Sequence, residues 1–340
     1  MSDDYLWDGS GTPDPDVQRL EALLGRLRAP LAGAPAPSLP AQPIRWRTLR
    51  YLGPALATAA AVLVMIGLTL RTTRTASSWE VASLAGQPRV GSSALAGTGR
   101  IAVGQTLVTD GGSQARMTVG TIGQVTIDTN TRVRLVATRD GHHQLALERG
   151  TLHAVINAPP GQFVVNTPSA TATDLGCAYT LHVDEDGAGY LSVTSGWVAL
   201  ELHGRESLVP VGASCRTDAK LGPGTPSYDD ADAEMRRALD EFDLARDPTA
   251  RSNALRVVLD HAGPGDAMTL WHLIARVDAG DRAAVVDALA ELLPMPAGVT
   301  REAVLRLDAA ALDQWWNALG LGEASWWRNF KAPYPAGASR

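Results

Sequence analysis

The residues that most often carry out protein chemistry are few and scattered in this sequence. It contains seven His and two Cys, which are Cys177 and Cys215. The motifs H-E-x-x-H, G-x-S-x-G, G-x-x-x-x-G-K-[ST] and G-x-G-x-x-G do not occur, although they are typical of zinc proteases, serine hydrolases and nucleotide-binding enzymes. A nucleophilic pair of Cys177 with a His needs a third, orienting group, and the sequence indicates none. We therefore predict no catalytic residue, no metal site, no cofactor and no enzyme activity.

The histidines are better explained as structural residues. Two of them directly follow a hairpin-turn signal and are expected to be solvated, with a weak surface metal contact as the alternative. Three more alternate with apolar residues, which predicts half-exposed positions on strands. The first group is His142 and His143, after Asp140-Gly141, and the second is His153, His182 and His203.

Composition limits the class of protein. The chain has 340 residues, of which 45% are hydrophobic and 19% charged, so it can bury a core and is long enough for two or three folded units. Its formal net charge of −6 makes a general nucleic-acid or anionic-lipid binder a poor fit. Two Cys are too few for a Cys₄ zinc site or an iron–sulfur cluster built from this chain alone.

An uncharged apolar run at residues 51–70 predicts a single transmembrane helix. At 1.5 Å per residue, a helix of this length is roughly 30 Å long, which matches the hydrocarbon core of a bilayer. A buried soluble helix is the alternative, because Ala and Thr dilute the hydrophobicity. Arginines flank both ends and are more numerous before the run, which favours a cytoplasmic N-terminus. They are Arg45, Arg47 and Arg50 before it and Arg71 and Arg74 after it.

The N-terminal segment predicts a short amphipathic helix with a partner. Asp14 is a plausible N-cap and Pro15 suits the first helical turn. Four apolar residues then form one stripe at helical spacing, and a helix of about fourteen residues needs a partner for that stripe. The partner is either a short aromatic segment folded back or another protein. The stripe is Val17, Leu20, Leu24 and Leu27, and the aromatic segment is Tyr5, Leu6 and Trp7.

The middle of the chain has the pattern of an all-β sandwich or roll. Between residues 79 and 226, short runs of alternating polar and apolar residues are separated by turn residues every eight to twelve positions. The runs are residues 124–129, 132–137, 143–148, 151–156, 162–167, 179–184, 190–195 and 197–202. Gly150, Gly176 and Gly196 fall at strand boundaries where a positive φ is expected.

Several short motifs follow one another in this stretch, at residues 109–113, 128–135, 147–150, 163–168, 175–176 and 196–198, and at Gly212. In this order they resemble the FecR domain, the extracytoplasmic part of membrane-anchored anti-sigma regulators. The resemblance rests on the order of the motifs, each weak by itself, over about 120 residues. The main departure is Cys177, where the family usually has Thr.

Cys177 and Cys215 are candidates for a disulfide bond, because both lie in the part that this orientation places outside the cytoplasm. Such a bond would stabilise the fold by ~4 kcal/mol on the chain-entropy model. The alternative is two unpaired small residues in the core.

The residues after the Gly/Pro segment 222–226 change to helical periodicity. Apolar positions such as Leu270, Leu273 and Val277 follow one face, so an all-α C-terminal domain is expected. Two Trp pairs occur near the end, at residues 315–316 and 326–327. Adjacent residues point to different faces of a helix, so one Trp of each pair is expected in the core and its neighbour at the surface. A docking face for a protein or glycan is the functional alternative.

The predicted fold is therefore multidomain: a single transmembrane helix, an all-β FecR-like sandwich or roll, and an all-α C-terminal domain. The predicted segments are a cytoplasmic helical arm (1–28), a Pro/Ala linker with a basic flank (29–50), the transmembrane helix (51–70), a short linker (71–78), the FecR-like β domain (79–226) and the helical domain (227–340).

The resemblance implies a single-pass protein of a bacterial inner (cytoplasmic) membrane that regulates transcription by protein binding. The arm would hold a sigma factor in the cytoplasm, and the periplasmic FecR-like domain would sense an extracytoplasmic protein or envelope partner. Direct nucleic-acid contact is not expected. The alternative is a cell-envelope scaffold or a glycan- or protein-binding module without sigma-factor control.

Overall fold

The computed structural model of this chain describes residues 15–25 and 78–325. The chain divides into two compact units, Met1–Thr69 and Leu70–Arg340. The first unit contributes helix α1 (Pro15–Gly25), where the sequence predicts a helix. None of the helices in the described ranges is both long and apolar enough to span a bilayer. The predicted transmembrane helix at 51–70 lies outside those ranges.

The second unit begins with a β domain, whose strands confirm the predicted all-β region. The alternation of polar and apolar residues becomes an alternation of burial, so that β6 and β12 each bury every second side chain. The strands are β1 (Ser78–Ala85), β2 (Arg89–Val90), β3 (Ser93–Ala94), β4 (Thr98–Ala102), β5 (Thr106–Val108), β6 (Gln114–Val119), β7 (Gly123–Ile127), β8 (Arg132–Arg139), β9 (His142–Ile156), β10 (Phe163–Asn166), β11 (Thr171–Asp174), β12 (Ala178–Val183), β13 (Gly189–Ser195), β14 (Trp197–Leu202), β15 (Arg205–Pro210), β16 (Ala213–Asp218), β17 (Gly222–Pro223) and β18 (Ser227–Tyr228).

The strands form two sheets that share β9. The first sheet has the order β4-β1-β6-β7-β9-β12-β13-β16, with β17 and β18 both paired to β16. The second has the order β3-β2-β5-β8-β9-β10-β11-β14-β15. Pairing is antiparallel except between β9 and β10. Large apolar residues of both sheets face each other in one buried cluster.

Gly150 is the point at which β9 passes from one sheet to the other. Residues 142–149 pair with β8 and β10, whereas residues 150–156 pair with β7 and β12. Gly150 has φ +89, and an added Cβ would lie 2.7 Å from the Cβ of Thr131. Gly176 and Gly196, with φ +87 and +70, also have the expected conformation. The sequence predicts two strands around Gly150, and the structure joins them into one bent strand.

A helical region follows, as predicted. Its helices are α2 (Ala233–Leu244), α3 (Pro248–His261), α4 (Ala267–Ile274), α5 (Ala279–Leu292), α6 (Arg301–Leu305) and α7 (Ala309–Ala318), with a 3₁₀ turn at Pro264–Asp266. Side-chain caps begin several of them. Asp232, for example, accepts hydrogen bonds from the backbone N–H groups of Glu234 and Met235, which satisfies two of the free donors at the start of α2.

The tryptophan pair in α7 packs into two different cores. Trp315 belongs to the cluster formed by the helices, and Trp316 belongs to the cluster between the β sheets. Both side chains are fully buried, so the expectation of one surface Trp in this pair is wrong. The physical reason for the burial of both rings is that α7 lies between two hydrophobic clusters, so each Trp packs into a different one. The second pair, at residues 326–327, lies outside the described residues.

Candidate functional site

Helix α1 carries the part of the predicted partner-binding stripe that the structure describes. Leu20 and Leu24 are 60% and 54% exposed, and the neighbouring Leu23 is 63% exposed. Three exposed leucines on one short helix form an apolar surface without a cover among the described residues. The candidates Tyr5, Leu6, Trp7 and Leu27 lie outside those residues, as does the side chain of Val17.

The predicted disulfide bond is not formed, because both cysteines are free and buried. Cys215 lies opposite Leu191, and Cys177 comes directly before β12. β13 lies between β12 and β16, so at ~4.8 Å per strand spacing the two Cα atoms are farther apart than the roughly 7 Å limit for a disulfide. Sequence separation and compartment suggested the bond, but strand order prevents it.

Each thiol instead has its own hydrogen-bond acceptor. Cys177 Sγ donates to Asp174 Oδ2 at 2.8 Å, and Cys215 Sγ donates to the carbonyl oxygen of Gly224 at 3.1 Å. Burial raises the pKa of both thiols, that of Cys215 to about 12. Both are therefore held protonated at neutral pH, where a thiol is a poor nucleophile.

Asp174 is a buried carboxyl group directly before the FecR-like motif at residues 175–176. Only 1% of the residue is exposed, and its Oδ1 accepts the backbone N–H of Gly176 at 2.7 Å. Burial raises its pKa to about 6, against smaller opposing effects of the hydrogen bonds from Cys177 and Gly176. The group therefore changes charge within the physiological pH range.

The pair His142 and His143 is buried rather than solvated, which corrects the expectation from sequence. Their exposures are 7% and 8%. His143 Nδ1 is 2.8 Å from Thr138 Oγ1, and its ring lies 5.9 Å from that of Trp79. Burial lowers the pKa of both rings, so they are neutral at pH 7. Within the described ranges, no cluster of three or more His, Cys, Asp or Glu could hold a metal ion.

The three histidines that were expected on strands divide between strands and a turn. His153 and His182 are half-buried on β9 and β12, as expected, and His153 Nδ1 lies 2.9 Å from Thr180 Oγ1. His203 differs, because it is exposed in the turn between β14 and β15 with φ +52.

A network of charged side chains lies where the β domain meets the helices. Arg276, after α4, is buried and donates to Thr225 Oγ1, to Ser207 Oγ and to the carbonyl oxygen of Glu206, each at 2.7 Å. Arg205 donates to Asp243 Oδ1 at 2.5 Å, and Asp243 Oδ2 accepts the backbone N–H of Thr225. Burial lowers the pKa of Arg276 to about 10, so it remains charged at neutral pH. We call Arg205, Asp243 and Arg276 the junction network.

His272 fixes the same junction without a charge. Its Nε2 accepts the backbone N–H of Leu208 in β15 at 3.2 Å, and its Nδ1 lies 2.9 Å from the carbonyl oxygen of Met268. This pairing requires the proton on Nδ1. Burial lowers the pKa of His272 to about 3, with Arg276 adding to the effect. Its ring meets Trp271 and Trp316 edge to face, at 5.1 and 5.7 Å between centroids.

Sequence reasoning missed the junction network entirely. Its members come from β15, from α2 and from the residues just after α4, and no short spacing links them. The only related signal in the sequence is the adjacent Trp pair at residues 315–316.

Comparisons with known proteins agree with the motifs of the β domain. Residues 105–199 match the family model described as FecR protein. No curated protein matches the chain.

Among solved structures, the chain is similar to two crystal structures, at 1.65 and 2.50 Å resolution, of a "putative anti-sigma factor" from Parabacteroides distasonis. Identity to each is 17% and the TM-score is 0.33, with 40% of this chain and 64% of that protein covered. The match thus spans less than two thirds of the solved chain, and a TM-score of this size supports no transfer of function. The family match, together with the motifs at residues 109–198, shows that the chain contains a domain of the FecR family.

Proposed function

We propose that this chain is a membrane-anchored, anti-sigma-like regulator that acts by binding and release of a protein. Helix α1 binds a sigma factor in the cytoplasm, residues 51–70 cross the inner membrane, and the FecR domain senses an extracytoplasmic partner. The observation that carries the proposal is the FecR family match over residues 105–199. The apolar run and its arginine flanks support the membrane anchor.

The exposed leucines of α1 indicate where the sigma factor binds. An amphipathic helix commonly binds by laying its apolar face into a groove of a partner protein. Leu20 and Leu24 are one helical turn apart and lie on the same face. Charged side chains at both positions would have to be buried in that groove, which is costly without a partner of opposite charge.

The test is an in-cell crosslinking capture with the full-length chain. We expect the wild type to capture a sigma factor, and the double variant Leu20→Asp/Leu24→Asp to lose at least 90% of it. The matched control is Gln18→Asp/Ala22→Asp, which adds the same charges with the same spacing on the opposite, exposed face of α1. The control should capture as the wild type does.

Two results would count against the proposal. One is equal loss of capture in both double variants, and the other is an absence of any sigma factor in the wild-type capture although the chain is inserted in the membrane. The rival function, an envelope scaffold or binding module, predicts that a chain lacking residues 1–40 retains its cellular phenotype.

A further inference from the structure

A cavity of about 520 Å³ lies between the β14–β15 turn and the helices α4 and α7. This volume is in the range of sites for small organic molecules, so it has room for at least one large aromatic side chain. The cavity is open to the surface, because His203, Gly204 and Ala275 line it and are exposed. Its apolar wall consists of Trp271 and Leu312. An apolar wall that is open to water is a candidate binding surface.

The apolar wall presents an aromatic ring in a fixed orientation. The indole N–H of Trp271 donates to the carbonyl oxygen of Leu312 at 3.0 Å. The ring of Trp316 packs edge to face against Trp271, with 4.8 Å between the centroids. A second aromatic ring can therefore pack against Trp271 without any loss of side-chain freedom in the wall.

The charged groups on the opposite wall restrict the chemistry of an occupant. Arg205 and Arg276 both form ion pairs with Asp243, at 2.5 and 4.0 Å. Arg276 also donates to three oxygen atoms of the protein. The carboxylate of Glu206 lies on the same wall and disfavours an occupant with a carboxylate of its own. The preferred occupant is therefore an aromatic group without an acid.

The described part of the chain ends next to the apolar wall. Ala324 is fully buried in the cluster that contains Trp316, and Trp271 packs against the same cluster. The indole N–H of Trp316 donates to the carbonyl oxygen of Gly322 at 3.0 Å, and the backbone N–H of Ala324 donates to Asn317 Oδ1 at 2.7 Å. These contacts fix the chain beside the wall just before residue 326.

The segment that follows has the composition that the cavity requires. Residues 326–331 are Trp-Trp-Arg-Asn-Phe-Lys and contain no acidic residue. Ala324 and Ser325 have helical conformation, and Ala324 faces the buried cluster. Helical spacing puts Trp327, three residues after Ala324, on the same face as Ala324, and puts Trp326 on another face.

We propose that residues 326–331 cover the cavity, with the ring of Trp327 against Trp271 and Leu312. The occupant is thus a segment of this chain rather than a separate ligand or a second copy. This contact removes apolar surface from water and joins the segment to the β14–β15 turn and α4, so its release would expose a binding surface there. The inference does not depend on binding of a sigma factor by α1.

The test measures how fast a thiol at the edge of the cavity reacts with a maleimide in the full-length chain. Ala275→Cys places a thiol at an exposed position, whereas Cys177 and Cys215 are buried and protonated and react slowly. We expect Trp327→Ser to speed the labelling of Ala275→Cys at least fivefold, because the cover is lost. The matched variant Trp326→Ser should change the rate less than twofold.

Ala284→Cys is the control for a general change in folding. Ala284 is an exposed position on α5, so its labelling should be the same with and without Trp327→Ser. An unchanged rate for Ala275→Cys when Trp327→Ser is added would overturn the proposal. Equal acceleration by the two Trp variants, or equal acceleration at Ala284→Cys, would overturn it as well.

A second measurement keeps an aromatic ring at the position and guards against a variant that fails to fold. Trp327→benzoylphenylalanine in the full-length chain should crosslink on irradiation to α4 or to the β14–β15 turn, at least fivefold more than Trp326→benzoylphenylalanine does. Crosslinks only to other parts of the chain, or only between two copies, would contradict the proposal. The Leu20→Asp/Leu24→Asp chain should show the same protection of Ala275→Cys, so failure of the sigma-factor proposal remains distinguishable from failure of this one.

Discussion

Asp174 shows how a single buried carboxyl group couples the FecR domain to pH. The folded chain holds its pKa at about 6, whereas the ordinary value is 3.8. The folded state therefore binds the proton more tightly than the unfolded chain does. The stabilisation is fully present below pH 3.8 and is lost as the pH rises through about 6. At neutral pH the domain contains a buried negative charge that lowers its stability.

We predict that Asp174→Asn stabilises the protein at pH 7.5 and has little effect at pH 4, because Asn resembles the protonated carboxyl group. The gain should be about 1–3 kcal/mol, since each pKa unit corresponds to roughly 1.4 kcal/mol. Urea unfolding at pH 4, 5, 6 and 7.5 measures it. The control is Asp140→Asn in an exposed turn, which should change stability by less than about 0.5 kcal/mol throughout. An effect of Asp174→Asn that does not vary with pH would contradict the prediction.

At the scale of elements, β9 determines the architecture of the β domain. One strand supplies a partner to both sheets, and the change of sheet takes place at Gly150. The positive φ of Gly150 is unfavourable for any other residue, and the close approach of Thr131 leaves no space for a side chain there. The two conditions can be separated, because Gly141 also has a positive φ, +70, but an added Cβ would have no atom within 4 Å of it.

We expect Gly150→Ala to lower the free energy of unfolding by about 3 kcal/mol or more, since it adds a collision with Thr131 to the cost of a positive φ. Gly141→Ala, which has the same type of backbone conformation without the collision, should cost about 1 kcal/mol. Chemical unfolding of both variants gives the comparison. Similar losses for the two would show that the approach of Thr131 is relieved at little cost.

Much of the secondary structure could be predicted from the sequence. Alternating residues located most strands, Gly/Pro segments located the change to helices, and the glycines at 150, 176 and 196 have the expected backbone conformation. The continuity of β9 could not be predicted, because a glycine between two alternating runs is typical of a turn. The order of the strands in the sheets could not be predicted either. For that reason the prediction of a disulfide bond between Cys177 and Cys215 was wrong.

For the candidate site, sequence and structure agree less. Helical spacing found the stripe of α1, because its members are close in the chain. The junction network brings together Arg205, Asp243 and Arg276 across long sequence separations, and only tertiary packing makes these contacts. His142 and His143 follow a turn signal but are buried, and the ring of His143 packs against Trp79.

At the scale of the whole molecule, the described residues from position 78 onward fold as one unit because α7 contributes to both cores. Trp315 is buried among the helices and Trp316 between the sheets. The indole N–H of Trp316 also donates to the carbonyl oxygen of Gly322 at 3.0 Å. Unfolding of the helices would therefore expose part of the β core.

We predict that the wild-type chain shows one calorimetric unfolding transition for this unit and that Trp316→Ala separates it into two. Replacement of a buried Trp by Ala costs about 3–5 kcal/mol, and here the loss falls on the contact between the two regions. The matched variant Trp315→Ala should destabilise the helical region first. Differential scanning calorimetry distinguishes these outcomes, and a single unshifted transition for Trp316→Ala would contradict the assignment.

The end of the family match inside β14 has a consequence for the transfer of this domain between genes. The family match ends at residue 199, inside β14, and begins after β1–β4, although β1 is hydrogen-bonded to β6 within the matched segment. The segment that is recognised across the family is therefore smaller than the segment that folds here. Transfer of residues 105–199 alone to another gene would divide two sheets, whereas transfer of residues 78–325 would carry complete sheets together with the helices that cover β15. The segment that can be transferred as a folded unit is therefore expected to be the longer one.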